Sequence, residues 1–166
     1  MSAKRTEREA FEVEEARSIG NRQRRIRLPI AAMERFLLRL NRELGLQQGT
    51  AFVRFVTDAE MKRLNQKFRN KKKTTDVLSF PSEARTRPRG LRARARKLRG
   101  VYLGDIAISP TVARQNAKQF GRTTAEEIWV LMLHGVLHLL GYDHESDGGE
   151  MEELELRLRR RMGLGG

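Results

Sequence analysis

The chain has 166 residues and a formal net charge of +13, with 34 lysines and arginines against 21 aspartates and glutamates. This length fits one domain with a real hydrophobic core. The absence of cysteine excludes disulfides, thiolate metal ligands and a cysteine nucleophile. Such an excess of positive charge favours a polyanionic partner, with nucleic acid ahead of an anionic membrane surface.

The first third of the chain predicts a polar tail followed by one helix. Residues 1–10 are polar and predict a disordered tail, residues 11–13 carry a weak strand signal, and residues 17–28 are basic and typical of a loop. Apolar residues then recur at helical spacing from Pro29 onward, and Gly45 is a plausible stop for that helix.

Alternating hydrophobicity marks the next strand and helix. Residues 50–56 alternate and are rich in β-forming residues, which predicts a strand. Thr57 or Asp58 is suited to cap a helix that runs through Phe68, and residues 77–80 predict a short second strand.

A basic segment follows at residues 82–99. It contains seven arginines and one lysine between positions 85 and 99, together with Pro88 and Gly90. This composition predicts an exposed, mobile loop that resembles arginine-rich RNA-binding segments. The alternative interpretation is a surface insertion peculiar to this chain.

The last part of the chain predicts three helices after one strand. The most apolar helix begins at a cap formed by Thr123 or Thr124 and ends before Gly141. The other elements are a strand and two helices, at 101–108, 110–120 and 148–162. Strands and helices do not alternate strictly, so the pattern favours a single α+β domain over residues 11–162, with a small sheet flanked by five helices.

No apolar run approaches the length needed to span a bilayer. The first residues also lack the apolar stretch of a secretory signal. We therefore expect a cytoplasmic protein without a membrane partner.

All three histidines of the chain lie within eleven residues of one another. His134 and His138 are four residues apart on the apolar helix, which places both rings on one face. Gly141 allows the chain to leave the helix sharply and to present His144 as a third ligand. Three neutral nitrogen ligands suit zinc and leave a fourth position for water, as in catalytic zinc sites.

The spacing of the histidines is similar to that of the metzincin proteases, with one departure. Metzincins carry a glutamate after the first histidine as general base, whereas this chain has Gly135, which cannot transfer a proton. Another residue, the metal alone or the substrate's own groups must then activate water. Asp143, Glu145 and Asp147 are candidates for orienting the histidines, with a solvated acidic loop as the alternative.

A second basic cluster lies between Lys62 and Lys73. Lys62 and the neighbouring arginine fit a solvated helix face. From Arg69 onward the predicted loop position favours contact with phosphate, and the candidates for substrate binding are Arg69, Lys71, Lys72 and Lys73.

Three segments together resemble the YbeY family, bacterial endoribonucleases of ribosomal RNA maturation. They are HGVLHLLGYDH at 134–144, LNQKFRNKKKTTDVLSFP at 64–81 and LGDIAIS at 103–109. The resemblance covers about residues 50–162 in order. The basic segment and a longer, charged N-terminus depart from the family pattern.

The resemblance implies a compact α+β fold with a mixed four-stranded sheet and a zinc site at His134, His138 and His144. It implies cleavage of single-stranded RNA, in processing of the 16S rRNA 3′ end and in ribosome quality control. Arg69 would match the functional arginine of the family, next to the metal. The implied partners are rRNA and the ribosomal subunit, with ribosomal proteins or GTPases as candidate protein partners.

Two other functions fit parts of the pattern. The histidine spacing also suits a metallopeptidase-like hydrolase, and the basic loop also suits a non-catalytic ribosome-assembly factor in which the metal only stabilises the fold. Nickel, copper or cobalt would accept the same three ligands as zinc.

Overall fold

Four short strands form one mixed sheet. The computed structural model describes residues 18–46, 51–82 and 102–165. The strands, in chain order, are β1 (Ile19–Asn21), β2 (Ala51–Phe55), β3 (Val77–Pro81) and β4 (Gly104–Ile108). Their order in the sheet is β1-β2-β4-β3, with β1, β2 and β4 parallel and β3 antiparallel to β4 at one edge.

Five helices accompany the sheet within the described ranges. They are α1 (Ile30–Leu44), α2 (Asp58–Arg69), α3 (Pro110–Phe120), α4 (Thr124–Leu139) and α5 (Glu150–Met162). The predicted α+β class, with a four-stranded mixed sheet and five helices, is confirmed. Of these helices, none is long and apolar enough to cross a membrane.

Side-chain caps explain where two of the helices begin. The Thr57 hydroxyl accepts a hydrogen bond from the Glu60 backbone at the start of α2. At the start of α4 the Thr123 hydroxyl accepts from the Glu126 backbone, and the Glu126 carboxylate accepts from the Thr123 backbone in return. This reciprocal capping box satisfies two backbone donors that the helix leaves unpaired.

Helix α4 lies at the centre of the core. It packs on the inner face of the sheet, against β3 and β4, and is flanked by α1, α3 and α5. Trp129 of α4 stacks on Phe36 of α1, with ring centroids 5.6 Å apart. A helix enclosed in this way must be apolar around most of its circumference, which explains why it is the most hydrophobic helix of the chain.

The outer face of the sheet carries a second, smaller cluster. Helix α2 crosses it and covers a group of buried apolar side chains, namely Val56, Met61, Leu78 and Ala107. Phe80 of β3 packs at the border of this cluster. Helix α2 therefore ends beside the edge strand β3, on the opposite side of the sheet from α4.

Strand β1 corrects one prediction. Residues 17–28 carry a basic, loop-like pattern, yet Ile19–Asn21 pair in parallel with residues 53–55 of β2. The strand exists because β2 supplies a partner from far along the chain. The predicted tail at 1–10, the strand signal at 11–13 and residues 83–99 of the basic segment lie outside the described residues.

The residues on either side of the segment 83–101 lie side by side. The backbone of Ser82 donates to the carbonyl of Leu103 at 2.8 Å, and the Ser82 hydroxyl donates to the carbonyl of Tyr102 at 2.6 Å. These bonds continue the antiparallel pairing of β3 and β4 beyond the last strand residues.

Candidate metal centre

The last turn of α4 and the loop after it bring the three histidines together. Gly141 has a φ of +96°, a conformation that favours glycine, and its backbone donates to the carbonyl of His138. The chain then turns back toward the helix. The ring centroid of His134 lies 4.6 Å from that of His138 and 5.3 Å from that of His144, and the other two rings are 6.2 Å apart.

The three rings line one open cleft of about 480 Å³. Arg69, at the end of α2, lines the same cleft, as do the edge strand β3 and the two residues before it. Lys71, Lys72 and Lys73 are exposed on the loop between α2 and β3 but do not form the cleft wall. The structure thus places four predicted site residues around one space and three next to it.

The nitrogen atoms of His134 and His138 lie close to the spacing of two ligands of a tetrahedral metal ion. Nε2 of His134 lies 3.0 Å from Nε2 of His138. Two ligands of a tetrahedral zinc ion with bonds of about 2.0–2.1 Å would be separated by about 3.3–3.4 Å. A small rotation of either ring would therefore bring the pair into the geometry that zinc requires.

Glu155 of α5 is a site residue that the sequence analysis missed. Its carboxylate accepts a hydrogen bond from Nδ1 of His134 at 2.9 Å and another from Arg159 at 2.5 Å. With its proton on Nδ1, His134 directs the lone pair of Nε2 toward His138. A carboxylate that fixes the tautomer and orientation of a ligand histidine is a common partner of metal sites.

A group of three side chains here could hold a metal ion. His134, His144 and Glu155 offer ligand atoms within 4.8 Å of one another. The Glu155 carboxylate lies 3.8 Å from Nε2 of His144. Glu155 is, however, buried and does not line the cleft, whereas all three histidines do. A metal accessible to a substrate would therefore lie on the histidine side of this group.

Burial and neighbouring charges shift the pKa values of two of these groups. Burial, together with the neighbouring His134, lowers the pKa of His138. Burial alone would raise the pKa of Glu155, but its hydrogen bond with His134 and its contact with Arg159 outweigh burial and lower it. Both shifts favour a neutral imidazole and an ionised carboxylate, the forms that a metal centre needs.

Comparison with known proteins shows the family of this chain. The family model described as Endoribonuclease YbeY matches residues 18–163. The chain belongs to the YbeY family. A relative named Endoribonuclease YbeY from Solibacter usitatus is 48% identical over 134 residues, 80% of this chain and 79% of the relative.

Two further comparisons extend the YbeY match to other bacteria and to a solved fold. A relative of the same name from Koribacter versatilis is 41% identical over 129 residues, 78% of this chain and 74% of the relative. The solution structure of a Thermotoga maritima protein matches with a TM-score of 0.54 at 28% identity, covering 87% of each chain.

Packing explains why this YbeY chain has glycine where metzincins have their general base. A Cβ atom at Gly135 would lie 2.9 Å from both Cδ1 and Cγ2 of Ile106 on β4. Distances this short are below normal carbon contacts. The helix face next to His134 is thus pressed against the sheet, and a glutamate at this position could not reach the cleft.

Two of the three acidic residues proposed to orient the histidines, Asp143 and Asp147, accept hydrogen bonds from nearby residues. Asp147 accepts from the backbone of Gly149 and Met151 and stabilises the start of α5. Asp143 accepts from the Glu145 backbone and from a serine hydroxyl in the same turn. Glu145 lines the cleft. The carboxylate that contacts His134 comes instead from α5, 21 residues further along the chain.

A buried asparagine positions the loop that carries the cations. The side-chain amide of Asn65 in α2 donates to the Lys73 carbonyl at 2.8 Å. The backbone carbonyl of Asn65 accepts a hydrogen bond from the Lys71 backbone. Asn70 ends the helix in a left-handed conformation with a φ of +53°. The loop therefore turns back along α2, next to Arg69 at the cleft.

Proposed function

We propose that this YbeY-family chain is a metal-dependent endoribonuclease that cleaves single-stranded RNA in ribosomal RNA processing. The observation that carries the proposal is one solvent-open cleft lined by three histidines and an arginine. The excess of positive charge over the whole chain supports a polyanionic substrate. A ribosomal substrate agrees with the expected cytoplasmic location.

His134, His138 and His144 would hold one zinc ion in this cleft, since their rings converge and remain accessible. When bound, such an ion polarises a phosphoryl oxygen and activates water. Glu155 would orient His134 without binding the ion, because it accepts the Nδ1 proton of His134 in a hydrogen bond and leaves Nε2 free to bind the metal.

Arg69 would contact the phosphate that is attacked. Its guanidinium offers forked donors that match phosphate oxygens and strengthen as negative charge develops. Lys71, Lys72 and Lys73 would contact phosphates further along the strand, where charge rather than geometry is needed. They would contribute affinity that weakens with salt.

Cleavage of single-stranded RNA by the purified protein tests the proposal. We expect chelation to abolish cleavage, zinc to restore it, and Arg69→Ala to lower the rate about a hundredfold. Arg63→Ala is the matched control, because Arg63 is an exposed arginine on the same helix that does not line the cleft. Cleavage that survives both chelation and His134→Ala would reject the proposal.

Metal content identifies the third ligand. If His138 binds the ion, His138→Ala lowers the bound zinc of the purified protein well below one equivalent. If Glu155 binds in its place, that variant retains the metal and Glu155→Gln loses it. Elemental analysis of both variants, normalised to folded protein by circular dichroism, separates these outcomes.

The two alternative functions receive less support. A metallopeptidase would need a general base, and Gly135 cannot supply one. A metal with only a structural role would not require an open cleft, although a histidine variant that folds, binds ribosomes and leaves rRNA ends normal would favour it. Association with a ribosomal protein or a GTPase stays a prediction.

A further inference from the structure

Phe68 is a large apolar side chain that the fold leaves in solvent. It lies in the last turn of α2 and is 57% exposed. Single exposed apolar residues are normal on protein surfaces, so exposure alone assigns no role. The surroundings of the ring are what distinguish it.

The ring of Phe68 is held by an aromatic neighbour and accompanied by a cation. Phe80 of β3 meets it edge-on, with ring centroids 4.9 Å apart and an angle of 69° between the planes. Phe80 itself packs against the apolar cluster under α2, so the pair has a fixed base. The Lys67 ammonium lies 5.3 Å from the centre of the Phe68 ring, within the range of cation–π attraction.

The pair lies on the α2 side of the sheet, next along the chain to residues of the cleft wall. Arg69 directly follows Phe68 and lines the cleft, and Ser79 and Pro81 on either side of Phe80 line it too. Neighbouring residues of a chain are about 3.8 Å apart at Cα. A nucleic-acid strand with one phosphate at Arg69 that continues over the edge strand β3 would therefore bring an adjacent nucleotide to the exposed ring.

We infer that Phe68, supported by Phe80, is a stacking platform for an unpaired base of single-stranded RNA. The inference rests on the proposed function and adds to it the element that selects single strands. Every base has a π face that can stack on an aromatic side chain, but in a duplex both faces are covered by neighbouring bases. Lys67 and Arg69 on either side of the ring would hold the flanking phosphates.

The surrounding charge favours RNA over an apolar protein partner. Lys67 and Arg69 flank the ring, and three more exposed lysines follow on the next loop. A hydrophobic partner would remove these cations from water and offer no negative charge to offset the cost of their desolvation. A polyanion pairs with them while its base covers the ring.

Binding of fluorescein-labelled oligoadenylate to the purified protein tests the inference, with the RNA checked for integrity on a denaturing gel. We expect Phe68→Ala to weaken binding about tenfold. The slope of log Kd against log salt should stay unchanged, because no phosphate contact is lost. Phe68→Tyr keeps the ring and should bind like wild type, and 2-aminopurine in the RNA should change its fluorescence on binding wild type much more than on binding Phe68→Ala.

Phe120 provides a matched control on another helix. It is 58% exposed, with the Arg122 guanidinium 5.4 Å from its ring centre, but, unlike Phe68, it has no neighbouring residue in the cleft wall. Phe120→Ala should bind RNA like wild type. Thermal unfolding of each variant establishes that the comparison is between folded proteins.

Three results would overturn the inference. The first is that Phe68→Ala binds oligoadenylate like wild type. The second is that Phe68→Ala loses as much affinity for a fully paired duplex as it does for oligoadenylate. The third is that Phe68→Ala changes the slope of log Kd against log salt. If wild type still cleaves single-stranded RNA in those cases, the stacking role fails alone. A wild-type protein that neither binds nor cleaves RNA would refute both this inference and the proposed function.

Discussion

The contact between Gly135 and Ile106 makes a strong quantitative prediction about α4. In Gly135→Ala the new methyl group would lie 2.9 Å from two side-chain carbons of Ile106 and 3.1 Å from a third. Overpacking of this kind costs about 1–3 kcal/mol. Alanine is better than glycine inside a helix by about 0.5–1 kcal/mol, so we expect a net loss of about 1–2 kcal/mol.

Urea unfolding of the metal-free protein measures this loss directly. The midpoint of thermal unfolding should fall by about 2–8 °C, at about 2–4 °C per kcal/mol for a chain of this size. Gly148→Ala is the control, since a Cβ atom there meets nothing within 4 Å. It should leave stability unchanged or raise it slightly.

A double-mutant cycle locates the cause of the loss. Ile106→Ala alone removes all three crowded carbons and should cost about 2–5 kcal/mol through the cavity that it leaves. In the Gly135→Ala background the same change should cost about 1–3 kcal/mol less, because it also relieves the crowding. Wild-type stability of Gly135→Ala, together with strict additivity of the two changes, would refute the steric explanation.

Three further predictions concern the metal centre and the start of its helix. Glu155→Gln should lower zinc affinity about 10–100-fold, measured in competition with a chromogenic chelator. Glu153→Gln, a change at an exposed position of the same helix, should leave zinc affinity unchanged. Equal zinc affinities of the two variants would exclude the orienting role of Glu155. The lowered pKa of His138 means that the folded protein resists protonation more than the unfolded chain does. The metal-free protein should therefore lose stability as the pH falls below 6.5, and His138→Gln should flatten that part of the profile; an unchanged slope would contradict the shift. Thr123→Ala should cost about 1 kcal/mol by removing the cap, whereas Thr124→Ala, one residue inside the helix, should cost little; equal losses would argue against the capping box.

Local patterns were enough to predict α4 and the histidine cluster. A cap at Thr123 and an unbroken apolar pattern fix the helix, and the four-residue spacing of His134 and His138 then follows from helical geometry. Gly141 indicates the turn that brings His144 back toward the helix. Each of these signals lies within a short stretch of sequence, where spacing alone determines which side chains meet.

Contacts between residues far apart in the chain determine the features that the sequence did not reveal. Glu155 is one of several glutamates at the start of α5, and only the packing of α5 on α4 selects it as the partner of His134. Strand β1 has three residues and no alternating pattern, so it depends on β2 for its existence. The steric role of Gly135 likewise needs the position of β4, which no local pattern contains.

The hydrogen bonds from Ser82 to Tyr102 and Leu103 join the chain on either side of the segment 83–101. Because these flanking residues are already joined across neighbouring strands, flexible residues added between them would cost little, since the entropy of closing a loop grows slowly with its length. Evolution could therefore lengthen, shorten or recharge the segment to suit different partners while the histidines and Arg69 kept their places.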